Sequence, residues 1–406
     1  MDLGSRIIVK KFGGTSVGSV ERIEHVAGLI ARECASGRLP VVVASAMSGE
    51  TNRLVGLGDQ IDPSYRGPAY DMLVASGEQV AIALLAIALS KRGIPAKPLL
   101  AYQLGIETDS VFSKARITNI DTRALSDLLA QNIVPVVAGF QGIDEDRNIT
   151  TLGRGGSDTT AVALAAALKV GACEIYTDVP AVFTADPRLV PRAREIKRLS
   201  FEEMMEMASL GSKVLHVRSV EIGFKHGVRI HVRHTFQERE GTWIVPEGEI
   251  MENPVVSAVT HDAATTVFKL MPIPPETSFM AGLFSKLSEK GVSVDIISQS
   301  ELAGGGHRLA FSVTAEDEPL VRKTLKEFLP TNIQTQTLDG VAKISVVGVG
   351  MRNHPGVAAR FFTVLAKAGI AVHLVTTSEI KISAIINRAE LETAAKALHS
   401  EFALDN

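Results

Sequence analysis

A glycine-rich segment near the N-terminus carries the first residues that could do chemistry. It spans residues 10–19, reads KKFGGTSVGS, and joins a predicted strand to a predicted helix. Glycines allow backbone N–H groups to approach phosphate oxygens, and a helix N-terminus adds partial positive charge. Lys11 could then neutralise charge on a transferred phosphoryl group. The lysine precedes the glycines, so this is not a Walker-type P-loop, and such a turn can also be purely structural.

A second segment, residues 150–158, reads TTLGRGGSD and again precedes a predicted helix. Its Arg154 could clamp a carboxylate through two parallel hydrogen bonds. Asp158 could orient a lysine or hold a metal ion near phosphates. The alternative is a solvated turn in which Asp158 only caps the helix.

A third cluster, residues 176–180 and 183–188, reads YTDVP and FTADPR and lies past another predicted strand. In open α/β sheets, ligands bind at the carboxyl ends of the strands. An aromatic or apolar wall for a purine, a carboxylate for a ribose or metal, and Arg188 for a phosphate would all fit. The alternative is an ordinary Asp-Pro turn.

Two single residues are further candidates. Lys213 could contact a phosphate, although a lone lysine is usually a solvated surface residue. Glu78 begins an apolar helical stretch and could bind substrate. The helix dipole alone also favours a glutamate in the first turn, and on the pattern alone that explanation is preferred.

Short β-branched runs alternate with longer helical stretches, which predicts a mainly parallel sheet covered by helices. The predicted strands are residues 7–9, 41–44, 134–138, 175–177 and 228–232. The predicted helices are residues 20–36, 70–92, 159–170 and 200–210. This arrangement places the first and third candidate segments directly after predicted strands.

The C-terminal part contains an internal repeat, in which residues 281–301 match residues 359–379 at a constant offset. The matched pairs are Phe284 with Phe362, Leu287 with Leu365, Gly291 with Gly369, Val294 with Val372, and Ser300-Glu301 with Ser378-Glu379. Fixed-offset matches indicate two copies of one unit. Each copy suits a ferredoxin-like βαββαβ unit, and a linker rich in Glu and Pro at residues 246–254 precedes the pair.

Composition excludes several classes of protein. With 46% hydrophobic and 21% charged residues, the 406-residue chain should fold almost completely, as two or three domains. The net charge of −3 provides no general basic field for nucleic acids or anionic membranes. Residues 80–89, the longest apolar run, are about half of a membrane-spanning helix, and we expect a cytoplasmic protein. Two cysteines in unlike contexts argue against a disulfide framework or a zinc site.

Taken together, these motifs resemble those of the aspartate kinases over essentially the whole chain. The resemblance is carried by KFGGTS at residues 11–16, SAMSG at 45–49 followed by Thr51-Asn52, SGE at 76–78, residues 151–158, and Thr177-Asp178. It implies an amino-acid-kinase fold, an α/β three-layer fold with a mainly parallel central sheet, followed by two ferredoxin-like ACT domains. The implied reaction is ATP plus L-aspartate giving ADP and 4-phospho-L-aspartate, the first step toward lysine, methionine and threonine.

The resemblance also implies domain boundaries. Residues 1–245 would form the kinase domain and residues 246–254 the linker. Residues 262–335 would form a first ACT domain, inserted into a second that consists of residues 255–261 and 336–406.

The resemblance assigns roles to individual residues. Lys11 and Asp158 would be catalytic. Aspartate would be held by Thr51, Glu78, Arg154 and Ser157. The nucleotide would be held by Lys11, Gly13, Gly14, Ser16, Thr177, Asp178, Phe183, Arg188 and Lys213. Mg²⁺ would bridge the phosphates, largely through water and phosphate oxygens, without a dedicated set of protein ligands.

The ACT pair implies feedback regulation by lysine, threonine or both, and a homo-oligomer formed through the ACT domains. The implied effector contacts are Asp295, Gln299, Val357, Ala358, Thr376 and Glu379. The first ACT unit departs from the family pattern, because PPETSF at residues 274–279 stands where a proline-glycine turn is usual, and Gly304 to His307 is also unusual. One effector site is therefore expected to be altered or absent.

Two alternatives stay open. One is a kinase for another acid, such as glutamate or an acetylated glutamate, and the substrate contacts of Arg154 and Glu78 would discriminate between these. The other is a catalytically idle chain that senses amino acids through its ACT pair.

Overall fold

The computed structural model describes residues 3–212, 214–251, 254–302 and 305–405. The chain divides into two compact units. The first comprises Met1–Val182, Glu195–Ser209 and Lys213–Glu252, and the second comprises Phe183–Arg194, Leu210–Ser212 and Asn253–Asn406. Two short stretches that lie between segments of the first unit therefore belong to the second unit.

The first unit is built on strands and helices that alternate along the chain. Its strands are β1 (Ile7–Phe12), β2 (Leu39–Ala44), β3 (Ala96–Leu99), β4 (Ile106–Thr108), β5 (Ile117–Ile120), β6 (Val134–Ala138), β7 (Gln141–Ile143), β8 (Ile149–Thr151), β9 (Ala172–Thr177), β10 (Arg198–Ser200), β11 (Arg229–His234) and β12 (Thr242–Val245). Its helices are α1 (Leu3–Arg6), α2 (Val20–Ala35), α3 (Glu50–Ile61), α4 (Pro68–Val74), α5 (Ser76–Ser90), α6 (Ala101–Leu104), α7 (Arg123–Ala130), α8 (Gly156–Ala167), α9 (Phe201–Ser209) and α10 (Val217–His226), with a 3₁₀ turn at Glu247–Glu249.

The central sheet has the strand order β10-β12-β11-β9-β1-β2-β6-β3. All its pairings are parallel except that of β11 with β12. Strands β2 and β6 are buried along their whole length, which explains their continuous β-branched sequence. Each of the five predicted strands lies in this sheet, so the predicted mainly parallel architecture is confirmed.

Helices α4 and α5 correspond to the single helix predicted over residues 70–92. They separate at Ala75, whose carbonyl accepts a hydrogen bond from the side chain of Gln141 at 3.3 Å. By length and composition, Pro68–Ser90 could cross a membrane, but 56% of its most apolar 18-residue stretch is buried inside the structure. Core helices satisfy the same criterion, and α5 packs Ile82, Leu85 and Leu89 into the core around β2 and β6. We interpret the stretch as core helices.

A second, smaller sheet with the order β5-β4-β7-β8 was not predicted. Its strands have three or four residues each, which is too short for a recognisable hydrophobic alternation. Strand β7 pairs antiparallel with β8, which contains the first two residues of the TTLGRGGSD segment. The rest of that segment leads into α8.

The second unit contains two four-stranded antiparallel sheets. Its strands are β13 (Ala258–Asp262), β14 (Thr265–Ile273), β15 (Ile297–Glu301), β16 (His307–Thr314), β17 (Gln334–Leu338), β18 (Val341–Val347), β19 (Leu374–Thr377) and β20 (Lys381–Asn387). Its helices are α11 (Thr277–Glu289), α12 (Glu318–Phe328), α13 (Val357–Lys367) and α14 (Leu391–Glu401), with 3₁₀ turns at Val349–Asn353 and Arg388–Glu390.

The two sheets are equivalent, with orders β15-β16-β14-β17 and β19-β20-β18-β13. In the second, β13 takes the place that β17 has in the first, although β13 precedes the whole first sheet in sequence. The predicted repeat is confirmed, and so is the expectation of ferredoxin-like units after the α/β domain. Val267 and Ile296 of the first sheet region pack with Val341 and Ile385 of the second, which joins the two sheets through one apolar cluster.

Residues 183–194 are integrated into the second unit. The backbone N–H of Val259 donates to the carbonyl of Thr184 at 2.8 Å, and the Thr184 hydroxyl lies 2.9 Å from Nε2 of His399. Ala185 and Val190 are part of the same apolar core as α13 and α14. This segment is therefore held by backbone, side-chain and apolar contacts to the second ACT-like sheet.

Candidate active site

Strand β1 delivers two lysines to opposite faces of the central sheet. Successive side chains of a strand point to opposite sides, so adjacent lysines cannot share an environment. The Lys10 ammonium is buried between the carboxylates of Glu33 and Glu174, each at 2.7 Å. The Lys11 ammonium lies 2.5 Å from Oδ1 of Asp158, in the first turn of α8. Only the second lysine faces the candidate site.

The glycine-rich loop after β1 is held against the neighbouring strands. The Gly13 N–H donates to the Tyr176 carbonyl at 3.1 Å, at the carboxyl end of β9. A Cβ on Gly14 would lie 2.8 Å from the Ala46 carbonyl, so a side chain there would clash with backbone.

Ser16 of this loop is fully buried, and its hydroxyl lies 2.6 Å from the hydroxyl of Thr235. Its backbone N–H donates to the Gly13 carbonyl at 2.9 Å. Both of its donor groups therefore act inside the protein. These contacts hold Ser16 within the loop, and its expected phosphate contact stays a prediction.

The turn between β8 and α8 depends on glycine. Gly155, the residue before α8, has φ of +66°, and a Cβ added there would lie 2.1 Å from Cβ of His216. A left-handed backbone and this close approach both require glycine. The turn places Arg154 two residues before the helix and Ser157 and Asp158 in its first turn, where the helix dipole favours a carboxylate.

Glu78 lies in the first turn of α5 and is 3% exposed. Its Oε1 accepts a hydrogen bond from the Ala46 N–H at 3.0 Å, and its Oε2 is buried without a hydrogen-bond partner among the described residues. Burial raises the pKa of Glu78 to about 7, and the bond from Ala46 offsets only part of that effect. A buried carboxylate with one open oxygen is suited to receive a cation from a ligand.

A cavity of about 300 Å³ brings these elements together in the first unit. Its walls come from the carboxyl ends of β1, β2 and β6 and the N-termini of α3, α5 and α8. The lining residues are Lys11, Ser45, Thr51, Glu78, Phe140, Gly153, Arg154, Gly155, Gly156, Ser157 and Asp158. The two predicted catalytic residues and the four predicted substrate contacts thus line one cavity. The predicted substrate and catalytic roles remain predictions, since the contacts alone do not test them.

Five lining residues had no predicted role, and three of them are glycines next to Arg154 or Ser157, namely Gly153, Gly155 and Gly156. The other two are Ser45 and Phe140. Ser45 directly follows β2, within the SAMSG motif, and its backbone N–H donates to the Phe12 carbonyl at 3.1 Å. Phe140 follows β6 with a positive φ of 70°. Their positions just beyond strand ends are the signal that could have identified them.

The predicted nucleotide contacts are divided between the two units. Thr177 ends β9 beside the glycine-rich loop, and its hydroxyl donates to Asp178 at 3.2 Å. Phe183 and Arg188 belong to the second unit, where Arg188 forms an ion pair with Asp186 at 2.7 Å. Lys213 lies outside the described residues. Within the described part of the chain, the cavity thus gathers Lys11 but not Thr177, Asp178, Phe183 or Arg188.

The predicted effector contacts all lie in the second unit. Asp295 precedes β15 and pairs with the buried ammonium of Lys343 in β18. Gln299 is on β15 and Thr376 is on β19, and these two strands are the equivalent edges of their sheets. Val357 and Ala358 begin α13, and Glu379 lies 3.5 Å from Arg352.

Comparisons with known proteins agree with this architecture. The amino acid kinase family model matches residues 6–234, and an ACT domain model matches residues 344–402. The chain is 49% identical to an aspartokinase of Pseudomonas aeruginosa over 407 aligned residues, which cover 98% of each chain. It is 47% identical to an aspartate kinase of Pseudomonas putida, again over 98% of each chain.

Solved structures give the same result. The structure of E. coli aspartokinase III in complex with aspartate and ADP superposes with a TM-score of 0.80 and 25% identity, covering 97% of this chain and 99% of that one. The same E. coli enzyme in complex with lysine and aspartate gives a TM-score of 0.77. By fold, by motif and by identity over almost its whole length, the chain belongs to the aspartate kinases of the amino acid kinase family.

Proposed function

We propose that this aspartate kinase transfers the γ-phosphoryl group of ATP to the side-chain carboxylate of L-aspartate within the cavity around Lys11, Glu78 and Arg154. A carboxylate oxygen attacks the γ-phosphorus, the bond from that phosphorus to the bridging oxygen breaks, and ADP leaves with the bond's electron pair. The product is 4-phospho-L-aspartate. The single observation that carries the proposal is a cavity in which a buried open carboxylate, an arginine and an ion-paired lysine all meet.

The nucleophile needs no activation by the protein. A free aspartate side chain has a pKa of about 4 and is ionised at neutral pH, so a general base has no proton to remove. Catalysis then reduces to bringing two anions into line and offsetting their repulsion. The residues that line the cavity match this requirement, because they include Lys11 and Arg154 and a carboxylate, and no histidine within the described lining.

The substrate contacts follow from charge. Arg154 binds the α-carboxylate of aspartate through its planar guanidinium, and Glu78 receives the α-ammonium on its open Oε2. The hydroxyls of Thr51 and Ser157 supply further hydrogen bonds. An acetylated amino acid has no ammonium group and would leave the Glu78 carboxylate buried and unpaired, so the arrangement favours a free amino acid.

Lys11 stabilises the transferring phosphoryl group, and Asp158 holds the Lys11 ammonium in place. The backbone around Gly13 and Gly14 approaches the phosphates, and Thr177 and Asp178 contact the rest of the nucleotide from the end of β9. The contributions of Phe183, Arg188 and Lys213 are part of the same proposal, although the cavity does not include them.

The donor set fits a Mg²⁺ ion carried by the nucleotide. Among the described residues, no group of three His, Cys, Asp or Glu side chains could hold a metal ion. Of the two carboxylates that line the cavity, Asp158 pairs with Lys11 and Glu78 is assigned to the substrate ammonium. Mg²⁺ typically keeps several waters and binds through phosphate oxygens in such sites. The chemistry such an ion would supply is neutralisation of phosphate charge, and Lys11 and Asp158 would keep the roles described above.

The ACT-like unit points to feedback regulation by lysine, threonine or both, through Asp295, Gln299, Val357, Ala358, Thr376 and Glu379. Support comes from the ACT domain match and from the E. coli aspartokinase III structure in complex with lysine. The edge strands β15 and β19 are suited to pairing with a second copy of the chain, so a homo-oligomer in the cytoplasm is part of the proposal.

An assay of ADP release tests the substrate assignment. Purified protein with ATP and Mg²⁺ is given aspartate, glutamate or N-acetylglutamate in turn, and we expect rapid ADP release only with aspartate. Preference for glutamate would contradict aspartate as the substrate, and preference for N-acetylglutamate would also contradict the role of Glu78 as the ammonium site. Effector binding in a calorimeter without any ATP binding would favour the idle sensor instead.

A further inference from the structure

The dipeptide Thr151-Leu152 lies at the end of β8, two residues before Arg154. Both residues are 1% exposed, so their backbone polar groups need partners within the protein. The Thr151 carbonyl accepts from the Ala115 N–H at 2.9 Å, and the Leu152 N–H donates to the Phe140 carbonyl at 2.9 Å. Two backbone groups of the dipeptide are thus satisfied by ordinary backbone hydrogen bonds.

Charged side chains bind the other two groups. Oδ2 of Asp71 accepts from the Thr151 N–H at 2.6 Å, and Nη1 of Arg218 donates to the Leu152 carbonyl at 2.6 Å. Asp71 is fully buried in α4, and Arg218 is half-buried in α10. Hydrogen bonds to charged groups are roughly twice as strong as neutral ones. All four backbone polar groups of the dipeptide are therefore occupied, two of them by ionic partners from different helices.

The same two side chains also bind the adjacent segment. Asp71 accepts from the Ser113 N–H at 2.9 Å and from the Ser113 hydroxyl at 3.1 Å. Nη2 of Arg218 donates to the Ala115 carbonyl at 2.9 Å. Each charged group thus ties residues 113–115 to residues 151–152, and each does so from its own side.

The fixed dipeptide leads directly into the turn that carries Arg154. Gly153 has a left-handed φ of +78° and comes directly after the fixed dipeptide, and a Cβ on it would lie 3.0 Å from the Ser113 carbonyl. The turn from Gly153 to α8 therefore starts from a base that Asp71 and Arg218 hold in place. The binding of a substrate carboxylate by Arg154 depends on such placement, since a displacement of about 1 Å can cost roughly 100-fold in rate.

We propose that Asp71 and Arg218 are positioning residues for Arg154, and through it for the α-carboxylate of aspartate. Neither residue lines the cavity, so each acts through the backbone that it binds. The inference rests on the proposed role of Arg154. It adds two residues from separate helices, α4 and α10, to the determinants of substrate affinity.

The test compares Asp71→Asn and Arg218→Gln with the unchanged protein by steady-state kinetics and thermal unfolding. We expect the KM for aspartate to rise roughly 10- to 100-fold, with the KM for ATP within about twofold and a smaller loss in kcat. Asp62→Asn is the matched control. Asp62 likewise accepts hydrogen bonds from the N–H and hydroxyl of a serine, Ser64, but both residues are exposed. Its substitution should therefore leave the kinetics unchanged.

Combination with Arg154→Ala shows whether the two residues act through Arg154. If they do, adding Asp71→Asn or Arg218→Gln to Arg154→Ala raises the KM for aspartate no further. Full additivity would overturn the inference. So would folded single variants with an unchanged KM for aspartate, or a failure of both variants to fold, which would assign the two residues to the stability of the whole unit.

These outcomes are separate from a failure of the proposed function. If Arg154→Ala alone leaves the KM for aspartate unchanged, the role of Arg154 is wrong, and the inference built on it is wrong as well. If Arg154→Ala raises that KM and the positioning variants do not, the function stands and only the inference is lost.

Discussion

The Lys11 ammonium and the Asp158 carboxylate lie 2.5 Å apart, although the two residues come from strand β1 and helix α8. Both side chains are largely buried at the wall of the cavity. The carboxylate holds the lysine, and under the proposed mechanism the positive charge is therefore in place before phosphoryl transfer begins. Preorganised charge of this kind is usually the largest single contribution to catalysis.

Replacement of Lys11 by alanine is expected to reduce turnover much more than it changes substrate binding. Removing one such preorganised group typically costs on the order of 10²- to 10³-fold in kcat. Steady-state kinetics should show this loss with modest changes in the KM values. Lys97→Ala, at an exposed lysine of β3, is the matched control. Equal losses in kcat and in substrate affinity would contradict the proposed role.

Aspartate binding is expected to weaken as the pH falls below about 7. Burial raises the pKa of Glu78 to about 7, and only its ionised form can attract the substrate ammonium. The pH profile of kcat/KM for aspartate should therefore fall toward tenfold per pH unit on the acid side. Glu78→Gln should bind aspartate weakly and lack this inflection. The same inflection in both proteins would show that another group is responsible.

Glu78 should also destabilise the folded protein at neutral pH. Its folded-state pKa of about 7 exceeds its ordinary value of 4.5, so the folded state binds this proton more tightly. The free energy of unfolding is then highest below pH 4.5 and decreases as the pH rises toward 7, by at most about 3 kcal/mol. The Tm of Glu78→Gln relative to wild type should accordingly increase between pH 5 and pH 8. A difference in Tm that is constant over this range would contradict the assigned pKa.

The affinity lost in an Arg154→Ala variant should depend on the α-carboxylate of the ligand. β-Alanine carries the same amine and side-chain carboxylate spacing as aspartate but has no α-carboxylate. Binding to the unchanged protein should favour aspartate over β-alanine strongly, and the variant should lose most of that preference. Competition titrations measure both affinities. A preference that survives the substitution would place the α-carboxylate against a different residue.

Gly155→Ala should reduce activity and stability together. Its Cβ would lie 2.1 Å from Cβ of His216, and the left-handed backbone adds about 1–2 kcal/mol of strain. Gly37→Ala is the matched control, since Gly37 has a similar φ of +84° and open space around it. We expect a small loss of Tm in the control and a larger loss, with reduced kcat/KM for aspartate, at residue 155. Equal effects would mean that the contact with His216 is unimportant.

The sequence predicted the main architecture because the decisive strands are buried on both faces. Continuous runs such as VVVA in β2 and VPVVA in β6 are recognisable without any knowledge of their partners. The short strands β4, β5, β7 and β8 were missed, since three or four residues carry too little periodicity. The repeat that forms the ACT-like sheets was visible because its spacing is constant over the matched residues.

Candidate site residues could be recognised from the sequence only where a local pattern marks them. Lys11 and Arg154 stand beside glycines before helices, which is a local pattern. The role of Asp71 depends on Ser113 and Thr151, which are distant in sequence, so nothing near Asp71 indicates it. The predicted phosphate contact of Ser16 came from its motif alone, whereas the position of its hydroxyl depends on Thr235, which follows β11 and is distant in sequence.

The most direct test of phosphoryl transfer to a carboxylate is to trap the product. The protein is incubated with ATP, Mg²⁺ and L-aspartate in the presence of hydroxylamine, with no other amino acid, and both ADP and aspartyl hydroxamate are measured. An acyl phosphate reacts with hydroxylamine, so we expect the two products in equal amounts, and neither when aspartate is omitted. Release of ADP without hydroxamate, or no consumption of ATP at all, would contradict the account.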